Sequence, residues 1–469
     1  MKEDILRILQ NSDNFKEFEE KIYDLVCGKT VEIIEEVFEL VDKELMENRD
    51  KSRLKNKDKK GRTLKTKIGC LELNRRYYKD TEEDEYCFLL DQYFNIPSNE
   101  RQSPALKESA LKLIQDATYR VSSDMIEELL GVSVSHQAIH NWVQDVGEKI
   151  SKQKEKERKE LFEDGVVPDN DSDREEIDHI FVEADGVYIN LQQEEKSSGE
   201  LKLGMSYQGW ERKHPSSEEY RVIDKKFYGG VFESTKFWEQ TASNLHKYFR
   251  FNEDAVTVLN GDGAGWIATG EEYIPYSPYR VLDSFHWNRK ILRKLGRSSF
   301  VPKVQEAIKE HDKDRLIEVL EKAKSYRKKQ KDKKKVEELK EYLLNNWEAL
   351  KDYREEDLDL PKNIRGMGAI ESNIDKILAN RFKKRGMRWS KDGARNLAKI
   401  ILADRNDELE GALSRLNWEF KDDEIEKEYR TVKDIISQNK YQIKRGKLPA
   451  LEGPDAGKSW VKGLRDIAS

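Results

Sequence analysis

Through the first fifty residues, apolar positions recur every three to four places. ILRIL, FEEKIYDLV and VEIIEEVFELVDKELM each carry the stripe of an amphipathic helix. The period then changes. Between 62 and 96, RTLKTKIGCLELNRRYYKD alternates and is rich in β-formers, and with YCFLLDQYFNI it predicts a small β-hairpin element. Helical spacing returns from Ser103 to about Lys154. There VSSDMIEELLG predicts a helix capped by Ser122 or Ser123 and stopped at Gly131, and SHQAIHNWVQDVGEKI a second helix starting at Ser135. Val132 and Ser133 make the turn, and Ile139, Trp142 and Val143 form the buried side. The interval suits a helix-turn-helix, which sends its second helix into a major groove. Ser135, His136, Gln137 and Asn141 are then the residues able to meet base edges or phosphates; an ordinary helical hairpin would give the same pattern. His136 and His140 stand four apart, a metal-compatible spacing, but with no third ligand nearby zinc is not expected.

After an acidic stretch the periodicity becomes α/β. IDHIFVEADGVYINLQ, ELKLGMSYQGWE and YRVIDKKFYGGVFE predict three consecutive strands. A helix (STKFWEQTASNLHKYF), a buried strand (AVTVLNGD), a short helix and a strand (YRVLDSF) follow. Three antiparallel strands and then alternating helix and strand is the element order of an RNase H-like domain. From His286 to Pro361 long charged helices are expected, then an α-rich segment from Ile364. The fold class expected is α+β and multidomain. A helical and β-hairpin region (1–100) and a helix-turn-helix region (101–155) lead through an acidic linker (156–178) to the catalytic core. The first part of that core (179–286) is separated from the second (363–438) by a helical insertion (287–362), and a Gly/Pro/Lys-rich tail (439–469) follows.

Composition narrows the function. Of 469 residues, 38% are charged and 36% hydrophobic, and the net charge is −6, which by itself does not announce a nucleic-acid binder. Distribution says more. Residues 51–67 hold nine basic residues against one acid, Lys322–Lys335 is a second basic block, and 371–399 carries nine Lys/Arg against three acids. Between them, 160–178 holds nine acids and one Arg. Basic blocks parted by an acidic linker suit DNA-facing surfaces drawn from different domains. No apolar run approaches the roughly 18–20 residues that span a bilayer, and the N-terminus is too acidic for a signal peptide. Three widely spaced cysteines imply neither a disulfide framework nor a zinc knuckle, so a reducing cytoplasm is expected, with no membrane partner.

The chemistry rests on three acids. Asp185 interrupts an apolar strand, and Asp262 ends another, followed by a Gly that lets the chain turn away. A charge inside or at the tip of a buried strand costs several kcal/mol unless paired or metal-bound. In an RNase H-like sheet these strands are neighbours, so both carboxylates point into one site. Glu371, opening a helix in MGAIESNIDKILANRFKKRGMRW, completes the trio, with Asp375 one turn on as an alternative ligand. Hydrolysing a phosphodiester needs an activated nucleophile and a stabilised leaving oxygen on an anionic substrate, which two Mg²⁺ ions about 3.5–4 Å apart supply. Mg²⁺, or Mn²⁺, takes hard oxygen ligands. Trp266 and Trp389 are expected as core or hinge aromatics, with base-stacking wedges as the alternative.

The Asp–Asp–Glu order, the helical insertion and the D-x-x-H element at Asp283 and His286 resemble the bacterial insertion-sequence transposases of the Mutator-like group. RRYYKD at Arg75–Asp80, SHQAIHNWV, VEADG, NGDGAGWI and GMGAIESN…RFKKRGMRWS are similar, more closely, to the ISLre-type transposases, over essentially the whole chain. The resemblance implies Asp185, Asp262 and Glu371 as catalytic ligands of two metal ions, with Asp283 and His286 as accessory residues beside them. It implies binding to double-stranded terminal inverted repeats, metal-dependent strand cleavage, and transfer of 3′-hydroxyls to target DNA by a homodimer or larger assembly. Arg381, Lys383, Lys384, Arg385 and Arg388 would then contact phosphates. Competing readings are an RNase H-like nuclease or resolvase, and a non-catalytic helix-turn-helix regulator, which would leave Asp185 and Asp262 without a purpose.

Overall fold

The structure is a computed structural model and describes residues 1–167, 174–192, 194–276 and 278–414. The expected tail and the end of the second core segment lie outside the described residues. The chain is mixed α+β and multidomain, and its described residues form two compact units: Met1–Lys107 with Ile126–Ser133, and Glu108–Met125 with Val134–Ser414.

In the first unit, α1 (Lys2–Gln10) leads into α2 (Phe15–Asn48), whose Asn14 cap accepts the Glu17 N–H. Strands β1 (Leu54–Thr66), β2 (Gly69–Asp80) and β3 (Tyr86–Cys87) form an antiparallel sheet in the order β1-β2-β3, followed by α3 (Leu89–Tyr93). The hairpin begins at Leu54, earlier than alternation alone predicts, because the first half of β1 is an exposed, lysine-rich strand with no apolar face to alternate. Val41, Leu45, Leu64, Leu71, Leu73 and Tyr78 make the core. Arg75 and Arg62 both pair with buried Asp91, and Arg76 pairs with buried Asp42. Two arginines of the RRYYKD motif are therefore occupied inside this unit.

Helices α4 (Pro104–Leu113) and α5 (Tyr119–Leu130) follow. Ser122 and Ser123 lie inside α5 instead of capping it: the helix starts earlier, where the Thr118 hydroxyl accepts the Val121 N–H at 3.3 Å. Gly131, at φ +62°, ends it as expected. Helix α6 (His136–Phe162) is capped by Ser135 and buries Ile139, Trp142 and Val143. It continues to Phe162, into the stretch expected to be linker, because Arg158 pairs with Glu239 and holds its last turns against the second unit's core.

The second unit is built on a five-stranded sheet. Its strands are β4 (Glu176–Asn190), β5 (Ser198–Tyr207), β8 (Lys226–Val231), β9 (Arg250–Gly261) and β10 (Tyr279–Leu282), in the order β10-β9-β4-β5-β8. Strands β4, β5 and β8 are antiparallel in turn, while β9 and β10 run parallel to β4. A separate ribbon pairs β6 (Gly209–Arg212) with β7 (Tyr220–Ile223). Strand β4 is central, so Ile180–Ala184 are buried on both faces and read as a continuous run. Helix α7 (Ser234–Tyr248) lays Phe237 and Trp238 on Ile180, Val182 and Leu259, and α8 (Gly265–Ala268) adds Ile267. Trp266 joins this cluster, a core role as expected.

Four helices, α9 (Ser284–Leu295), α10 (Phe300–Lys309), α11 (Lys313–Ser325) and α12 (Gln330–Asn345), share a hydrophobic cluster with Ile291, Val304, Leu316, Leu320, Leu339 and Trp347 at its centre. Helix α13 (Ala369–Ile374) passes through a π-helical turn (Asp375–Ala379) into α14 (Asn380–Phe382). Helix α15 (Lys391–Arg405) packs on α6 and β8, and α16 (Leu409–Ser414) closes the described chain. Among the described residues no helix is long and apolar enough to cross a membrane.

Candidate metal centre

Strand β4 presents Glu183 and Asp185, two residues apart and so on one face. Asp185 interrupts a buried strand at its half-buried end. Next to it β9 ends at Gly261, and Gly263, at φ +80°, turns the chain so that the Asp262 Oδ1 accepts the Ala264 N–H at 2.8 Å. The Tyr342 hydroxyl on α12 donates to the Asp262 carbonyl at 2.9 Å, tying the helical segment to this turn. Asp283 caps α9, its Oδ1 accepting the Phe285 N–H at 2.8 Å. That cap sets the first turn of α9, on which His286 lies. Glu371 stands in the first turn of α13.

One ligand atom each from Asp185, His286 and Glu371 can be taken so that all lie within 4.8 Å of one another. His286 Nε2 is 3.2 Å from Glu371 Oε2. Burial pushes the Asp185 carboxyl up to about 7; the charges of Asp262 and Glu371 push the same way, while the Gly186 N–H and His286 oppose them. A carboxyl crowded by like charges is where a divalent cation fits, and two carboxylates with an imidazole suit Mn²⁺ as well as Mg²⁺.

The geometry sorts the expected site residues. Asp185 and Glu371 meet, and His286 joins them as a potential ligand. Asp262 acts on Asp185 through its charge and is not part of the three-residue group. Asp283 is buried and serves as a cap. Ser135, His136, Gln137 and Asn141 are exposed on the start of α6, with Gln137 donating to Asn141 at 3.0 Å. Lys383, Lys384 and Arg388 are exposed, and Lys384 reaches Asn380 and Asp375. Asp375 thereby faces a lysine. The side chain of Arg385 lies outside the described residues. Arg381 departs from the expectation of a phosphate contact: it is buried, donates from Nε to the Ile114 carbonyl at 2.9 Å and lies over the Trp389 ring. The π-helical turn just before it shifts the helix register and turns this arginine inward. Trp389 is a core residue, its indole donating to the Phe382 carbonyl at 3.0 Å.

Glu183 was not anticipated. It is fully buried, and its carboxylate accepts hydrogen bonds from the Tyr207 hydroxyl at 2.6 Å, the Asn260 amide at 3.2 Å, and the backbone N–H groups of Gly368 (3.0 Å), Ala369 (3.2 Å) and Ile370 (3.2 Å). Burial raises its carboxyl above the ordinary range, and these hydrogen bonds act against that. The signal that singles out Asp185, an acid in an apolar strand, was equally present two residues earlier in FVEADG.

The sequence profile of the uncharacterised protein family UPF0236 matches residues 8–420. The chain belongs to UPF0236. A UPF0236 protein of Caldanaerobacter subterraneus subsp. tengcongensis is 27% identical over 413 residues, 88% of this chain and 81% of the relative. A UPF0236 protein "in vanSb 3′ region" of Streptococcus gallolyticus is 27% identical over 408 residues, 86% of each chain. Another from the Caldanaerobacter strain is 26% identical over 457 residues, 93% of this chain and 91% of the relative. These two Caldanaerobacter proteins are named for eleven and four gene loci respectively. The matched span of UPF0236 takes in every residue of the candidate centre.

Proposed function

We propose that this UPF0236 protein is a DDE-type DNA transposase that binds the terminal inverted repeats of its own element, cleaves the strands in a metal-dependent reaction and joins the freed 3′-hydroxyls to target DNA. The observation that carries the proposal is the meeting of Asp185, His286 and Glu371, from three distant segments, within 4.8 Å. Further support for an RNase H-like core comes from the strand order β8-β5-β4-β9-β10, with the second chain-order strand antiparallel to its neighbours, and from helices inserted between β10 and Glu371. The resemblance to ISLre-type transposases points the same way. So do relatives whose names span eleven and four loci, since a mobile element leaves copies. For DNA recognition, the reading takes α5 and α6 as the helix-turn-helix, with the exposed polar residues of α6 toward the groove.

Asp185, Glu371 and His286 would hold one divalent ion, and Asp185 with Asp262 a second. Divalent ions held there would polarise the scissile phosphate and lower the pKa of the attacking water or hydroxyl. The chain's own residues do the rest. Asp185, whose carboxyl feels the charges of both Asp262 and Glu371, would contribute to both positions, Glu371 and His286 brace each other, and Asp283 and Tyr342 fix the segments behind them. Holding two element ends together calls for a dimer or larger assembly on DNA.

The test is Mg²⁺- or Mn²⁺-dependent cleavage and strand transfer on a labelled duplex carrying the element's own end. Wild type is expected to cut and join, while Asp185→Ala, Asp262→Ala and Glu371→Ala bind the duplex and do neither. Variants that cut as well as wild type would return the protein to the regulator reading.

A further inference from the structure

The four segments that bring the candidate centre together each carry a second polar group just behind their site residue. Glu183 precedes Asp185 by two residues, Asn260 precedes Asp262 by two, Asp283 precedes His286 by three, and Gly368–Ile370 lead directly into Glu371. These inner groups bond to one another. Glu183 and Asn260 are register partners on adjacent strands and are joined by their side chains at 3.2 Å. The same Asn260 amide reaches Asp283 Oδ2 at 3.4 Å. Three consecutive N–H groups at the head of the Glu371 helix converge on the Glu183 carboxylate. Gly368, at φ +128°, supplies the backbone conformation that turns them there.

We infer that Glu183, acting with Asn260, is a positioning residue that docks the start of the Glu371 helix onto the strand carrying Asp185 and so sets the spacing of the two ligands; the inference rests on the metal-dependent reading above. Four of the five groups bonded to Glu183 are N–H donors that cannot accept, and because each carboxylate oxygen takes at least one backbone N–H, no orientation of a glutamine satisfies them all. Its carboxamide replaces one acceptor oxygen with an NH₂ that confronts N–H groups, and the helix head must shift to relieve the conflict. The Coulomb attraction between a carboxylate and the unpaired N–H groups of a helix start is lost as well. Because Glu371 follows Ile370 directly, a shift of the helix head is a shift of the ligand.

Tyr207 provides a gentler probe. Tyr207→Phe removes one of the five donors and keeps the ring that stacks on Phe181 at 5.6 Å, so the strand packing survives.

The experiment is Mn²⁺ titration of the full-length protein without DNA, followed by electron paramagnetic resonance, with circular dichroism and thermal melting as folding checks. Glu183→Gln is expected to keep wild-type helix content and to bind Mn²⁺ about 10- to 100-fold more weakly, the range seen when groups orienting metal ligands are lost. Tyr207→Phe is expected to fall between it and wild type. End binding in EDTA should not change for either. Folded variants with wild-type Mn²⁺ affinity would overturn the inference, and if Glu183→Gln does not fold, Tyr207→Phe alone decides it. If wild type binds Mn²⁺ no better than Asp185→Ala, the metal-dependent reading itself fails, which is a separate and recognisable outcome.

Discussion

The His286 ring nitrogen Nε2 stands 3.2 Å from the Glu371 carboxylate, joining the first turn of one helix to the first turn of another. Each of those turns is fixed by a buried acid, Asp283 for His286 and Glu183 for Glu371. If His286 is a ligand as well as a brace, His286→Ala should lower the cleavage rate at least about tenfold while leaving binding of the element end intact. A rate equal to wild type on the labelled duplex would reduce the imidazole to packing.

The basic residues after Glu371 should separate into two kinds. Lys383, Lys384 and Arg388 are exposed, and replacing them together with glutamine should weaken DNA binding and flatten its salt dependence by about 0.9 in log–log slope for each phosphate contact removed. Arg381→Gln should instead destabilise the fold by about 1–3 kcal/mol, since it strips the buried Ile114 carbonyl of its partner. Salt-slope and denaturant measurements on the two sets would expose a wrong division.

A pH dependence follows from Glu408. Burial alone would raise its carboxyl, but Lys154 at 3.2 Å and Lys247 at 2.7 Å, with a hydrogen bond from Tyr248, bring it down to about 2 from 4.5. A depressed carboxyl contributes stability that is complete above the unfolded pKa and is lost as pH falls through the folded one. Between about pH 4.5 and pH 2 the second unit should therefore lose a contribution on the order of 3 kcal/mol. Glu408→Gln should melt earlier at neutral pH and show a shallower acid limb. An acid limb parallel to wild type would show that the lysines gain nothing from this carboxylate.

Close packing gives a paired test. A Cβ added at Gly147 on α6 would lie 2.4 Å from the Asn396 Cβ and 2.5 Å from its carbonyl oxygen, so α6 and α15 touch backbone to backbone there. Gly147→Ala should destabilise by about 1–3 kcal/mol, the usual cost of overpacking. Gly28→Ala on α2, where no atom lies within 4 Å, should instead stabilise by about 0.5–1 kcal/mol. Urea unfolding of both variants would check the contrast, and equal midpoints would contradict it.

What could be read from the sequence was what periodicity and local chemistry encode. Helices α1 and α2, strands β4, β9 and β10 and the long charged helices lie where the apolar spacing put them, whereas the second and third expected strands each divide, into β5 with β6 and β7 with β8, and β6 and β7 leave the main sheet as a ribbon of their own. Asp185 stands out because an acid in an apolar strand is a local oddity, whereas Glu371, an acid in the first turn of a helix, is locally ordinary and stands out only beside the other motifs. What escaped depends on distance along the chain or on geometry within a turn. Glu183 has partners at 207, 260 and 368–370, and nothing local distinguishes a carboxylate bound to five donors from a metal ligand. The inward turn of Arg381 follows from the π-helical turn, which periodicity at 3.6 residues cannot register. The start of β1 was hidden because an exposed strand of lysines has no alternation.

The bond from Ile370 to Glu183 closes a loop of 187 residues. On the ribosome, Asp185 and Asp262 emerge long before their helical counterpart. A chain halted anywhere before Gly368 lacks both the clasp and Glu371, so by this reading an incomplete copy of the protein has no cutting activity to release. Under the transposase proposal, translation through that point becomes a safeguard: only a polypeptide that includes Gly368–Glu371 would be able to cut the DNA that encodes it.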